Sequence, residues 1–247
     1  SFIKTGPGTL RFAQPNIANK LMTHGSPNET ARLNIGPNGE SPTQGFSGVS
    51  VVDGTLTLGA PGQTNTLSRI FVGLFSSDLP GGETAGELAI TDGILNLNGT
   101  LLAVGRNNGT VTTAPGGLSS RLTVSGGLIT NANHLSLGYQ NAGLSGYNAR
   151  PVMEMSGGTV VINNFFISES SGAKSTVTLT GGTVRALVSA RFAMAANTEA
   201  LFTLDGDALF ETVGAFDTQL GSANAATAVA TLRLNGGTLS TRNIVKA

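Results

Sequence analysis

The densest group of acidic residues in the chain is Asp205-Gly-Asp207, with Glu211 and Asp217 close behind it. Calcium in proteins takes six or more oxygen ligands, and carboxylates are common among them. Asp205 and Asp207 are therefore candidate metal ligands. The pattern is not iterated, unlike the calcium-binding nonapeptide repeats. The alternative is a turn with solvated carboxylates.

Asp53 and Asp92 are a second pair that could do chemistry, because each precedes a glycine in a similar local sequence. Glycoside cleavage needs two carboxyl groups roughly 5–9.5 Å apart. If the chain is a stacked repeat, these two acids would lie one repeat apart. The favoured alternative is that both are ordinary Asp-Gly turns.

Tyr139, Tyr147 and Arg150 share one segment and are the candidates for stacking on a sugar ring. Exposed aromatic residues sometimes mark binding surfaces. Tyrosine also commonly buries its ring while its hydroxyl stays in water. Packing of this loop onto the body of the protein is therefore the favoured alternative.

The remaining reactive residues form no recognisable catalytic or cofactor motif. His24 and His134 are far apart and lack the spacing of zinc ligands. The serines have no nucleophile elbow, and no glycine-rich turn continues into Gly-Lys-Ser/Thr. The sequence therefore predicts no catalytic set, no cofactor and no enzyme activity.

Composition restricts the possible partners. The 247 residues include 14 basic and 14 acidic side chains, and charged residues make up only 11%, against a usual share of about 25%. Without a basic excess, nucleic acid is not an expected partner. No apolar run approaches the roughly 18 residues that span a bilayer, so no membrane insertion by this chain is expected. A polar surface with few charges is typical of exported proteins.

A repeated motif must position all of these residues. It alternates apolar and polar residues, then has two glycines and a further apolar pair, as in Leu122-Thr-Val-Ser-Gly-Gly-Leu-Ile129. The second glycine falls at Gly127, Gly158 and Gly182, so the spacing is 31 and then 24 residues. Self-similarity of this length indicates a solenoid or related repeat. Further copies are Val49–Leu56, Leu88–Leu95, Met153–Val160, Val177–Val184, Phe202–Leu209 and Leu232–Leu239, with a fragment at Pro7–Leu10.

Stacking the units predicts two aliphatic columns in the interior. The first is Val51, Ile90, Val124, Met155, Leu179, Leu204 and Leu234, and the second is Leu56, Leu95, Ile129, Val160, Val184, Leu209 and Leu239. A second signature, apolar-x-apolar-Gly, follows each motif, as in Leu135-Ser-Leu-Gly138; Phe165-Phe-Ile-Ser168 and Phe192-Ala-Met-Ala195 are aligned as its relaxed copies. Period-two alternation over such short runs indicates strands with one buried face.

These patterns predict an all-β, right-handed parallel β-helix (β-solenoid) of about seven to eight coils. An antiparallel sandwich or barrel is the alternative, but it gives no reason for such columns. We expect one solenoid domain over residues 1–247, with longer loop insertions in 13–48, 74–86, 106–119 and 139–151, where turn residues concentrate. Any grafted function is expected on these loops.

The first quarter of the chain resembles a known family. Phe2-Ile-Lys-Thr-Gly-Pro-Gly-Thr-Leu10 and Phe46-Ser-Gly-Val-Ser-Val-Val-Asp-Gly-Thr-Leu-Thr-Leu58 are similar to the autotransporter-associated β-strand repeat, and the later Gly-Gly-Thr-Val units resemble its continuation in bacterial surface β-helix proteins. The loop at 13–45 is longer than in that family. The resemblance implies a secreted or surface-exposed bacterial passenger that is structural or adhesive, with no catalytic set to carry over.

The sequence therefore predicts a non-enzymatic, extracellular structural or adhesive protein. The alternatives are a carbohydrate-binding module that uses loops 74–86 and 139–151, or a polysaccharide lyase or hydrolase. The chain begins in the manner of an interior coil and stops within one. Head-to-tail assembly with itself is therefore one expectation, and a fragment of a longer passenger is the other. Other expected partners are extracellular glycans or surfaces.

Overall fold

The structure is a computed structural model, which describes residues 2–4, 9–12, 32–35, 48–51, 54–58, 61–66, 69–75, 86–107, 120–139, 149–214, 216–222 and 225–246. Within these ranges the chain forms strands and no helix. The strands are β1 (Phe2–Lys4), β2 (Thr9–Phe12), β3 (Arg32–Ile35), β4 (Gly48–Val51), β5 (Gly54–Leu58), β6 (Thr64–Thr66), β7 (Arg69–Phe75), β8 (Gly86–Ile90), β9 (Ile94–Asn107), β10 (Arg121–Val124), β11 (Leu128–Leu137), β12 (Val152–Met155), β13 (Thr159–Ile167), β14 (Lys174–Leu179), β15 (Thr183–Phe192), β16 (Glu199–Leu204), β17 (Leu209–Thr212), β18 (Thr218–Leu220), β19 (Val229–Leu234), β20 (Thr238–Ser240) and β21 (Ile244–Lys246).

The strands stack in parallel into two sheets. One has eight strands in the order β2-β5-β8-β10-β12-β14-β16-β19, and the other has thirteen. From β8 onward the chain passes from one sheet to the other and back, so that neighbours within a sheet are one coil apart. The molecule is thus a β-solenoid of about five turns. The predicted all-β parallel architecture is confirmed, and the antiparallel alternative is wrong for the described strands.

The coil has three faces because the long strands of the larger sheet bend. The pairing register shifts within β11 and β13, near Asn131 and between Ile162 and Asn164. We call the eight-stranded sheet face A. Face B comprises β6, the first parts of β9, β11, β13 and β15, and then β17 and β20. Face C comprises β1, β3, β4, β7, the second parts of the same long strands, and then β18 and β21.

Aliphatic side chains from the three faces fill the interior. The first predicted column is confirmed from Ile90 onward, because Ile90, Val124, Met155, Leu179, Leu204 and Leu234 are paired in successive strands. The second predicted column is confirmed over Leu95, Ile129, Val160 and Val184. Most of these side chains are fully buried, so each coil completes the core of its neighbour.

Three members of the predicted columns are wrong. Val51 lies on face C, paired with Val72, and it is Leu58 that precedes Ile90 in the first column. Leu56 also lies on face A, where it pairs with Leu88. These errors have one cause, which is that the tripeptide Gly-Thr-Leu occurs at two different corners. At residues 54–56 it opens a face A strand, whereas at 237–239 it leads into face B.

The third error is Leu209, whose place in the second column is taken by Phe210. Phe210 pairs with Val184 on one side and with Leu239 on the other. The turn Asp205-Gly-Asp-Ala208 is one residue longer than the Gly-Gly turns, and a shift of one residue exchanges inward and outward positions along a strand. Phe210 is accordingly fully buried, while Leu209 is half-buried.

The alignment of the second signature at Phe192 is also wrong. Phe165 pairs with Ala190, and Phe192 pairs with Ile167 two positions further on. Ala193, with φ of 59°, therefore occupies the corner position of Ser168, whose φ is 56°. The error arose because the true partner, Ala190, is small. Phe192 was the nearest large apolar residue with which to align Phe165.

The corner between faces A and B is a stack of Gly-Gly turns. Gly158 has a φ of 78°, in the left-handed region that glycine adopts without strain. The turn is bonded to both neighbouring coils: the amide of Thr159 donates to the carbonyl of Gly127 (2.8 Å), and that of Thr183 to the carbonyl of Gly158 (3.0 Å). A side chain at this position would point into the backbone of the preceding turn.

Four phenylalanines fill the core of the later coils. Phe202 on face A has ring centroids 5.1 Å from Phe192, 5.0 Å from Phe210 and 6.3 Å from Phe165. All four side chains are essentially without solvent exposure. The rings come from three faces and from successive coils, so the cluster joins these coils into one packed unit.

Candidate binding surface

The predicted sugar-stacking residues have different environments. Tyr139 is half-buried and packs against Phe71 and Ala103 on the outer side of face C. Arg150 is exposed, and Tyr147 lies outside the described residues. The structure therefore does not bring the three residues together as one described site, and that site stays a prediction.

The side chains of the predicted metal ligands Asp205 and Asp207 lie near the turns of different coils. Asp205 Oδ1 accepts a hydrogen bond from the amide of Gly206 (2.8 Å) and lies 3.3 Å from where a Cβ on Gly236 would be. Asp207 Oδ1 lies 3.1 Å from the corresponding point on Gly181, in the coil before. Among the described residues, no three His, Cys, Asp or Glu side chains are grouped as metal ligands would be. The calcium site stays a prediction based on two carboxylates.

The paired-acid hypothesis for Asp53 and Asp92 stays a prediction, because only Asp92 lies among the described residues. Asp92 accepts a hydrogen bond from the amide of Gly93 (2.6 Å), as an Asp-Gly turn does. It lies between a face A strand and a face B strand. Asp53 lies outside the described residues, but its flanking strands belong to faces C and A. The described strands that flank Asp53 and those that flank Asp92 therefore belong to different pairs of faces. His24 also lies outside the described residues, so its distance from His134 is not described.

The outer side of face C is the most unusual surface of the rod. Its outward-facing residues form a register column of Phe71, Ala103, Ser136, Phe166, Arg191 and Gln219. The first four are buried even though they point away from the core, whereas Arg191 is exposed. Face C is therefore covered toward the earlier coils and open toward the later ones.

A largely buried carboxyl group, that of Glu169, lies beside the covered part of this column. Ser136 donates its hydroxyl hydrogen to Oε2 of Glu169. Burial raises the pKa of the Glu169 carboxyl above its ordinary value of 4.5, and the hydrogen bond from Ser136 opposes that rise only in part. His134, two residues before Ser136 on the same strand, packs against Phe166 with 5.3 Å between the ring centroids, and burial lowers the pKa of His134.

Replacing Glu169 by Gln should remove one source of pH dependence from the stability. A pKa raised in the folded state gives a contribution that is fully present below pH 4.5 and is lost as the pH rises through the folded-state pKa. Glutamine keeps an acceptor for Ser136 and carries no buried charge. At pH 7 we expect the variant to gain about 0.5–1 kcal/mol in free energy of unfolding, measured by urea denaturation between pH 4 and 8.

The matched control for this experiment is Glu154→Gln. Glu154 is exposed and its Oε2 lies 2.5 Å from Nη1 of Arg121, and an exposed ion pair of this kind contributes little to stability. The control should therefore leave the free energy of unfolding nearly unchanged at every pH. Identical pH profiles for the Glu169→Gln variant and the parent would show that the carboxylate is well solvated.

Asparagine side chains line the bend between faces B and C. Nδ2 of Asn131 donates to Oδ1 of Asn96 in the preceding coil (3.1 Å), and Nδ2 of Asn163 donates to Oδ1 of Asn133 (3.4 Å). Asn131 also has a φ of 55°, a conformation that asparagine tolerates better than most residues. Hydrogen bonds between asparagine side chains of successive coils therefore stabilise the bend.

An open groove of about 350 Å³ lies where face C is uncovered. Its apolar wall is Phe166, Val188 and Phe216, and its polar wall includes Arg191, Asp217 and Gln219. Ser189 donates to Oδ1 of Asn164 across the floor (2.8 Å). The sequence analysis named Asp217 only as part of an acidic group and Phe166 only as part of a repeated signature. It did not identify the groove, because the lining residues come from three coils. The exposed Phe216, in a connection between strands, was the one available indication.

Comparison with known proteins adds no assignment. A scan for protein families gave no match, and comparisons with curated proteins and with solved structures also gave none. The described residues include no helix long and apolar enough to cross a membrane. The similarity of residues 2–10 and 46–58 to the autotransporter-associated β-strand repeat therefore remains a resemblance.

Proposed function

We propose that this chain is a non-enzymatic structural or adhesive protein on the outside of a bacterial cell, and that its solenoid serves as an elongated scaffold. The finer description that we propose is a right-handed helix of seven to eight coils. Parallel crossovers are right-handed in nearly all proteins, and eight strands in face A support the number of coils.

The observation that carries this proposal is the continuity of the coil-to-coil contacts. In face A, Leu122, Met153, Val177 and Phe202 follow one another in register, and backbone hydrogen bonds join every neighbouring pair of strands from β8 to β19. Each coil depends on its neighbours for its core. A rod of this kind spreads a mechanical load over many equivalent bonds, as a surface scaffold requires.

Single-molecule force spectroscopy tests the scaffold function. A stacked rod should unfold in steps of one coil, and the spacing of 24–31 residues between repeat glycines corresponds to about 80–110 Å of extended chain per step. Release of the whole chain in one step at low force would contradict it. Turnover of a uronic-acid polymer, lost on Asp92→Asn, would contradict the proposed absence of catalysis.

Head-to-tail assembly is the second part of the proposal. The inward-facing Leu234, at the last position of the first aliphatic column, is 57% exposed, and Ile244 of the same coil is 48% exposed. Strand edges and core residues left open in this way favour pairing with another chain. A second copy stacked on this coil would cover both the apolar residues and the strand edges, and a contact that does not close makes a filament.

The substitution Leu234→Lys should therefore prevent assembly. A charge at this position opposes stacking. Because Leu234 is exposed, we expect the substitution to change the free energy of unfolding by less than about 1 kcal/mol. The control is Thr231→Lys, which adds the same charge to an exposed position of the same strand. Sedimentation velocity and electron microscopy over a concentration series measure the outcome. A parent chain that stays monomeric, or a Leu234→Lys variant that assembles as the parent does, would refute the filament.

A further inference from the structure

The groove on the open part of face C has an apolar wall that solvent can reach. Phe216 is 43% exposed and Val188 is 41% exposed. The outer edge of Phe166 completes this wall. An aromatic and an aliphatic side chain exposed side by side in a concave site are features of binding sites rather than of ordinary surface.

The polar wall of the same groove carries donors that are not used within the protein. Arg191 and Gln219 lie in register on adjacent strands, and among the described residues neither side chain has a hydrogen-bond or ion-pair partner. Asp217, by contrast, accepts from Nδ2 of Asn243 (2.9 Å) and lies 4.0 Å from Nε of Arg242. The positive charge of Arg191 is therefore the one left unbalanced in the groove.

We propose that this groove binds an acidic polysaccharide chain laid along the rod, with a uronic-acid carboxylate on Arg191. Guanidinium groups bind carboxylates through two parallel hydrogen bonds. Phe216 and Val188 contact the apolar C–H face of a pyranose ring, while the side-chain amide of Gln219 forms hydrogen bonds with the hydroxyl groups of the sugar. The groove crosses strands of three coils, whose spacing of about 4.8 Å is close to the advance per sugar in an extended glycan. This proposal does not depend on the scaffold function.

Calorimetric titration of the full chain with a uronic-acid oligosaccharide, and with a neutral oligosaccharide of equal length, tests the proposal. We expect measurable binding of the acidic oligomer and at least tenfold weaker binding of the neutral one, since one charge-assisted bidentate contact is worth about that factor. Arg191→Gln should weaken acidic binding by about tenfold and leave neutral binding unchanged. Phe216→Ala should weaken both.

The matched control is Arg233→Gln, which removes the same charge from an exposed arginine on face A. It should leave binding unchanged. Equal losses for Arg191→Gln and Arg233→Gln would mean general charge attraction and would overturn the site, as would no binding by the parent chain. Tight binding of an acidic peptide such as oligoglutamate, with the same dependence on Arg191, would overturn the carbohydrate assignment. Thermal unfolding of each variant verifies that the fold is retained.

Discussion

Replacing Gly158 by Ala should destabilise the protein by about 2–5 kcal/mol, combining the cost of a left-handed non-glycine residue with that of an overpacked site. Gly158 has a φ of 78°, and a Cβ added there would lie 2.6 Å from the carbonyl oxygen of Gly126. That oxygen belongs to the backbone of the neighbouring turn, so relieving the clash requires the coils to separate. Urea denaturation measured by circular dichroism gives the change in midpoint.

Gly214→Ala is the control that separates the two costs. Gly214 has a φ of 84°, and nothing lies within 4 Å of where its Cβ would be. The control should therefore show only the backbone cost of about 1–2 kcal/mol. Equal losses of stability for the two variants would mean that neighbouring turns move apart at little cost in free energy. Close contact between the turns would then not be the reason that glycine is required.

Replacing Phe202 by Ala should cost about 3–5 kcal/mol of stability, the usual range for deleting a buried aromatic ring. The ring is fully buried, and its centroid lies 5.0 Å from that of Phe210 and 5.1 Å from that of Phe192. Its removal leaves a cavity bounded by a ring of the same coil, Phe210, and a ring of the preceding coil, Phe192, which cannot both move to fill it. Equilibrium denaturation gives the loss, and the steepness of the transition reports whether the later coils still unfold together.

Phe216→Ala is the matched control, because it deletes the same ring from an exposed position. We expect a change within about 0.5 kcal/mol. A small loss for Phe202→Ala would instead show that the core is loosely packed there. A large loss for Phe216→Ala would show that this ring supports the fold, and would remove the reason to assign it to ligand binding.

Much of the fold could be predicted because the repeat keeps one residue type in each column. Ile90, Val124 and Met155 were placed correctly from spacing alone, since the units between them share the same turn. The prediction was wrong where a local sequence has two uses, as Gly-Thr-Leu has at different corners. It was also wrong where the turn lengthens by one residue before Phe210. Both are differences in backbone path that side-chain pattern does not reveal.

The groove could not be predicted, for a different reason. The sequence separates Asn164, Arg191 and Gln219 by 27 and 28 residues. They can be recognised as neighbours only when the length of each coil is known to the residue. A repeat pattern specifies the inward side chains, which must match their neighbours. The outward side chains are free to differ from coil to coil, and those differences are what make a binding surface.

The in-register pairing of like coils also limits how a gene for such a protein can change in length. Met153 and Val177 occupy equivalent positions in adjacent coils, so loss or duplication of the 24 residues between them would join a strand to its own equivalent and keep every column aligned. Loss or gain of only part of a coil within these strands and turns would offset all the coils that follow. We therefore expect natural length variants of this rod to differ by whole coils, with each duplication adding about 4.8 Å to its length.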